Sequence, residues 1–186
     1  DHQLKEIERL RDKAADAILR AEDVQGLVML GTTCQYPHFV ASAGTKLMDS
    51  AEEAFGFLVE AIAVGNCGTT LASNISSGAL ARFGEQWRDM IMTKAHETAW
   101  PSNVMAGLLV RWPDEPATWR DAASLGEEVE SEYWRCKPIG TIEGSSDERD
   151  YQIGKLIEAK RAAETLERVA YRAKGIPTEA LIRLFD

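Results

Sequence analysis

The chain is poor in cysteine and histidine, with three of each among its 186 residues. The three cysteines show neither CxxC nor CxxH spacing, which argues against a disulfide framework and against a structural zinc site. The histidines form no HExxH or HxxxH pair, so we expect neither a transition metal nor a cofactor. Free thiols are typical of reducing compartments, and we therefore expect a cytoplasmic protein.

The chain also lacks an excess of basic residues and a long apolar run. Its formal net charge is -9, which argues against sequence-specific nucleic-acid binding and against binding to an anionic membrane. No apolar stretch approaches the roughly 18 residues of a membrane-spanning helix, and the polar start does not have the pattern of a signal peptide. We therefore expect the partner to be a second copy of the chain or another protein.

Hydrophobic periodicity predicts an α+β fold that is mainly helical, with about six helices and one small β-hairpin. Residues 3–22 carry apolar side chains at spacings of three and four, which is the pattern of an amphipathic helix. The apolar run 27–30 lies between Gly26 and Gly31 and predicts a buried strand, to which residues 36–43 return as the second strand of the hairpin. The later predicted helices cover 51–64, 78–99, 119–133, 147–174 and a short segment after Thr178, and 104–112 is a strand or short helix, with helix favoured.

Changes in composition divide the chain into two parts. Residues 1–112 are expected to form a helix-hairpin-helix core domain that contains a loop of small residues at 65–78. Residues 113–186 are expected to form a helical C-terminal region, either as a second domain or as part of the first. Between Asp114 and Asp150, eleven acidic residues stand against four basic ones. A solvated acidic surface is the favoured interpretation of this stretch.

The small-residue loop is the predicted place for a site, because small residues let a backbone or a ligand approach closely. Cys67 is the candidate nucleophile, since a thiol near the backbone amides of a helix end can become a thiolate. His96 is the candidate base, and His38 is the other histidine that could serve. A small, inert thiol is the alternative interpretation of Cys67. The predicted ligand-binding residues of the loop are Asn66, Gly68, Thr69, Thr70, Ser73 and Asn74.

Several short motifs between residues 27 and 112 occur in a distinctive order. A short strand ending in glycine comes first, followed by an extended return and by a helix that ends in Glu60-Ala-Ile-Ala-Val-Gly65. A Thr-Thr-Leu loop follows. The segment Asn74-Ile-Ser-Ser-Gly-Ala-Leu-Ala81 then leads into Glu85-Gln-Trp-Arg88. With the tail Ala173-Lys-Gly-Ile-Pro-Thr-Glu-Ala-Leu-Ile182, this order resembles part of the portal proteins of tailed phages. The resemblance implies a ring-forming structural protein without an active site, whose helices line a passage for DNA.

Two functional hypotheses remain open from the sequence. The first is a non-enzymatic structural or interaction protein that oligomerises, with Trp87 and Trp100 as interface anchors. The second is a small cytosolic enzyme or ligand-binding domain that uses the 65–78 loop, with Cys67 as its nucleophile. The first hypothesis predicts assembly in solution, and the second predicts a fast-reacting Cys67 thiol.

Overall fold

A computed structural model describes residues 2–98, 100–140, 142–170, 176 and 178–185, with the side chains of 66–68 and 170 outside that description. The chain divides into two compact units, Asp1–Pro113 and Asp114–Asp186. The helices of the first unit are α1 (His2–Thr33), α2 (Pro37–Leu47), α3 (Ala51–Ala63), α4 (Asn66–Phe83), α5 (Glu85–Glu97) and α6 (Ser102–Leu109). Those of the second unit are α7 (Pro116–Ser124), α8 (Glu127–Cys136), α9 (Ser146–Glu158), α10 (Ala162–Ala170) and α11 (Thr178–Arg183).

The predicted α+β class is wrong, because every regular element among the described residues is a helix and none is a strand. The run 27–30 lies in α1, and most of the expected return strand lies in α2. A short apolar run does not distinguish a strand from a buried stretch of helix. The glycine expected to end the strand has another role: a Cβ at Gly31 would lie 2.6 Å from Cδ1 of Leu71 in α4. Gly31 therefore allows two helices to approach closely.

The predicted number of helices, about six, is also wrong, because long predicted helices are divided. Gly84, with φ of 58°, separates α4 from α5 inside the predicted helix 78–99. Gly126 (φ 106°) separates α7 from α8, and Lys160 (φ 60°) lies between α9 and α10. Left-handed backbone does not continue a right-handed helix, so each of these residues ends one. The predicted end of the last long helix, at 171–175, lies outside the described residues.

α4 is the central helix of the first unit and packs against α1, α2, α3, α5 and α6. Three of its apolar side chains, Leu71, Ile75 and Ala79, are completely buried. The predicted loop at 65–78 is therefore wrong, because all of it except Gly65 belongs to this helix. Other large buried residues of the unit are Leu27, Phe57, Leu58, Trp87, Ile91, Leu108 and Leu109.

The second unit contains an apolar cluster and an aromatic cluster. Ile153 of α9 packs with Val169 of α10 and with Ala180 of α11 in the apolar cluster. In the aromatic cluster the ring of Trp119 stacks on Tyr151, with centroids 5.7 Å apart, and Trp134 meets Tyr151 edge to face at 5.9 Å. Rings in these arrangements bury large apolar areas and interact favourably, so the aromatic cluster stabilises this unit. The apolar cluster stabilises it by removing aliphatic side chains from water.

None of the helices in the described residues is long and apolar enough to cross a membrane.

Candidate functional site

Three of the polar residues predicted to bind a ligand in the 65–78 segment form hydrogen bonds to carbonyls of the preceding turn. The Thr69 hydroxyl donates to the carbonyl of Gly65 at 3.4 Å, and the Ser73 hydroxyl donates to the carbonyl of Thr70 at 3.0 Å. The Asn74 amide also donates to the Thr70 carbonyl, at 2.7 Å. Hydroxyl groups bonded back to the preceding helical turn are satisfied locally. These side-chain donors are therefore already used by backbone carbonyls of α4 or of the residue before it.

The small residues around α4 serve close helix packing. A Cβ at Gly78 would lie 2.9 Å from Oγ1 of Thr45 on α2. At Gly44 on α2, a Cβ would lie 2.6 Å from Cε1 of the buried Phe57 ring. Glycine lets helix backbones meet at distances that a side chain would prevent. Gly78, at the end of the predicted loop, is thus a position of helix–helix contact, and ligand binding by the other residues of that segment stays a prediction.

The predicted catalytic pair is only partly described. α4 begins at Asn66, so the backbone of Cys67 lies in its first turn, but the side chains of Asn66, Cys67 and Gly68 lie outside the described part of the chain. His96 is exposed in the last turn of α5. His38, the other candidate base, is exposed near the start of α2, with its ring 4.0 Å from that of Phe39. A catalytic role for Cys67 and His96 stays a prediction.

The other two cysteines provide a reference for thiol reactivity. Cys34 is partly buried and Cys136 is exposed. The Cys136 thiol donates to a Glu132 carboxylate oxygen at 3.4 Å. Partial burial of the thiol and the Glu132 carboxylate raise the pKa of Cys136, because burial disfavours a charged thiolate and the carboxylate repels it. Cys136 is therefore expected to be a slow thiol at neutral pH.

The two tryptophans predicted as interface anchors occupy different environments. Trp87 on α5 is completely buried in the core of the first unit, so its side chain offers no surface to a partner. Trp100 is partly buried and stacks on Phe55 of α3, with ring centroids 5.9 Å apart. Trp87 is therefore a core residue, and an interface role for Trp100 stays a prediction.

The N-terminal segment of α1, residues 2–22, is separated from the rest of that helix by a kink. Asp23 has φ of 60° and ψ of -166°, and its carboxylate accepts a hydrogen bond from the Val24 amide at 2.8 Å. The structure describes all of residues 2–22, and Ala15 alone among them is buried. Packing normally supplies most of the stability of a helix in a protein. This segment has little packing within its own chain.

The side of the N-terminal segment that faces α2 is mainly polar. Lys46 on α2 lies 2.5 Å from a Glu8 carboxylate oxygen and 3.3 Å from one of Asp12. The hydrogen bond raises the pKa of Lys46 and lowers the pKa of Glu8, since each charge stabilises the other. The Arg11 guanidinium lies 3.4 Å from the centroid of the Phe39 ring, which is a cation–π contact. Charged side chains thus make much of the attachment to α2, beside the buried Ala15.

The apolar side of the same segment is uncovered. Leu4 is 70%, Ile7 39% and Leu10 53% exposed to solvent. An amphipathic helix in a globular protein normally turns its apolar stripe to the core and its charges to water. Here the exposed part of the helix includes the apolar stripe, which continues through three exposed alanines, Ala14, Ala17 and Ala21. The sequence pattern revealed this stripe but could not show that the fold leaves it open.

The second unit contains a cavity of about 490 Å³ lined from α8 and α9. Its charged groups pair with one another: Lys155 lies 3.1 Å from a Glu130 oxygen and 3.2 Å from one of Glu158. Burial opposes the charged form of Lys155, but these hydrogen bonds outweigh it and raise the pKa of Lys155. We assign no ligand to this cavity, because its one basic side chain, Lys155, already pairs with Glu130 and Glu158. The lining residues are Glu127, Glu130, Ser131, Trp134, Lys155, Glu158 and Ala159.

Across the residues that the structure describes, no group of three or more His, Cys, Asp or Glu side chains could hold a metal ion. Comparison of the chain with protein-family models, with curated proteins and with solved structures gave no match. The fold and surface therefore define the chain only as a helical protein with an uncovered apolar helix face.

Proposed function

We propose that this chain is a non-enzymatic interaction protein that associates with other copies of itself. One observation carries the proposal: the N-terminal segment of α1 attaches to its own unit through charged residues and leaves Leu4, Ile7 and Leu10 exposed. Contiguous exposed apolar side chains on a soluble domain commonly mark an interaction site. Burying them against a partner removes apolar surface from water, which favours association.

The ring assembly implied by the resemblance to phage portal proteins is a more specific form of this proposal. Three features behind the resemblance, namely the strand at 27–30, most of its extended return and the Thr-Thr-Leu loop, are helical in the structure. Parts of the matching tail, at 173–175 and 177, lie outside the described residues. We therefore keep self-association as the proposal and treat a large ring as one possible result of the measurement.

The native mass in solution tests the proposal. The full chain has a mass of 20.6 kDa. Light scattering on a size-exclusion column, across a wide range of protein concentrations, is expected to show a species of higher mass whose population rises with concentration. A large closed species of constant mass would favour the ring. A monomer at every concentration would refute self-association.

The enzyme hypothesis has one supporting observation, because α4 begins at Asn66 and so places Cys67 in its first turn. Free amides at the start of a helix stabilise a thiolate. Alkylation at neutral pH, followed by peptide mass analysis, compares Cys67 with Cys34 and Cys136 in the same sample. A Cys67 no faster than Cys34 would support the non-enzymatic proposal. A Cys67 that reacts much faster than both would support the enzyme hypothesis.

A further inference from the structure

We infer that the N-terminal segment of α1 pairs with the same segment of a second copy as a short two-helix coiled coil. This inference rests on the proposed function and specifies the surface and the partner. Apolar residues repeat along the segment at alternating spacings of three and four, which is the heptad pattern of a coiled-coil seam. The seam residues are Ile7, Leu10, Ala14, Ala17 and Ala21.

Most of the seam is available because the segment contacts its own unit mainly through other positions, although Ala14 borders an apolar pocket with Phe39 and Val40 of α2. In a heptad that places Ile7 at a, Glu8 and Ala15 occupy b and Asp12 occupies f. These are the residues that pair with Lys46 or are buried. Positions b and f lie away from the a and d seam on a helix. The segment can therefore remain attached to α2 while its seam contacts a second helix.

The size of the seam residues suits a close helix pair. Ile7 and Leu10 provide the large apolar side chains near the N-terminal end. The three alanines that follow are all exposed and small, so they let the two backbones approach closely. Leu4, which is 70% exposed, lies at a flanking e position and adds apolar surface beside the seam.

Charge identifies a second copy as the fitting partner. The whole chain carries a net charge of -9, so two copies repel each other on average. Residues 2–22 differ, because they contain five acidic and five basic residues. A symmetric contact brings the same surface of each subunit together, and a surface with balanced charge can meet itself without net repulsion. The seam therefore lies on a segment whose own charges do not oppose a symmetric contact.

Substitution of one seam residue in the full chain tests this inference. Leu10→Gln replaces an exposed apolar residue by a polar one with good helix propensity. Arg9→Gln is the matched control, because Arg9 is exposed on the same helix at a c position outside the seam. The same light-scattering series, supported by sedimentation equilibrium, measures the dissociation constant of each variant. Far-UV circular dichroism and thermal unfolding check that both variants fold.

The expected wild-type species is a dimer of the 20.6 kDa chain. Leu10→Gln is expected to raise the dimer dissociation constant about tenfold or more, and Arg9→Gln is expected to change it less than about threefold. If the chain associates but Leu10→Gln and the double variant Ile7→Gln/Leu10→Gln associate like the wild type, the seam inference is wrong while the proposed function stands. A wild type that stays monomeric would overturn both.

Discussion

Replacing Gly44 by alanine is expected to destabilise the first unit, although alanine normally favours a helix. Gly44 lies in α2, and a Cβ there would lie 2.6 Å from Cε1 and 3.1 Å from Cζ of Phe57. The Phe57 ring is completely buried, so it cannot move away without disturbing its neighbours.

A matched control is available in α3. Gly56 is exposed, and a Cβ at that position meets no described atom within 4 Å. Gly56→Ala is expected to stabilise the protein by about 0.5–1 kcal/mol through helix propensity alone. Gly44→Ala gains the same amount from helix propensity, but overpacking against Phe57 costs about 1–3 kcal/mol. The free energy of unfolding of Gly44→Ala should therefore lie about 1–3 kcal/mol below that of Gly56→Ala.

Urea denaturation of the full chain, followed by far-UV circular dichroism, measures both variants. The transition midpoint should fall in Gly44→Ala and rise slightly in Gly56→Ala, with little change in the slope m. If Gly44→Ala stabilises the chain as much as Gly56→Ala does, the close contact between α2 and Phe57 is incorrect. The interpretation of the small residues as packing positions would fail with it.

Three further predictions concern the core and the second unit. Trp87→Ala is expected to lower the free energy of unfolding by about 3–5 kcal/mol, and Trp100→Ala by clearly less, because Trp87 is completely buried and Trp100 only partly buried. Equal losses for the two variants in urea denaturation would contradict this. The Lys137 side chain is 6% exposed and pairs with Asp114, whose side chain is 42% exposed. Asp114→Asn should therefore lower the free energy of unfolding by about 1–3 kcal/mol, which is less than the cost of breaking a fully buried pair because solvent screens Asp114. The exposed control Glu128→Gln should stay within about 0.5 kcal/mol of the wild type, and urea denaturation measures both variants. The Glu132 carboxylate helps to raise the pKa of Cys136, so Glu132→Gln should lower that pKa and speed the alkylation of Cys136 at pH values below it. An unchanged pH–rate profile of alkylation would show that burial alone raises the pKa of Cys136.

Helix capping signals and apolar stripes were readable from the sequence because they depend on neighbouring residues. The helix predicted at 51–64 begins at a local cap: the Ser50 hydroxyl accepts a hydrogen bond from the Glu53 amide at 3.2 Å, and the Glu53 carboxylate accepts one from the Asp49 amide. The long helix in the second unit begins as predicted to within one residue, with Ser145 as its cap. These local interactions act over three or four residues and need no tertiary information.

The strand and the small-residue loop were predicted wrongly because their evidence was ambiguous at short range. A short apolar run fits either a buried strand or a helix, and at 27–30 the helix buries Leu27 and Val28 while it leaves Met29 and Leu30 exposed. Glycine and serine favour loops, yet between packed helices they favour close contact. Only the placement of α1 and α2 against α4 decided between these outcomes.

The sequence by itself determined the helical periodicity, the acidic balance and the apolar stripe at residues 4–21, since each follows from the order of side chains. The tertiary structure decided which way that stripe faces. Lys46 and Phe39 of α2 contact Glu8, Asp12 and Arg11, and these contacts orient the helix with its apolar side outward. Periodicity defines the faces of a helix, but the neighbouring elements determine which face is buried.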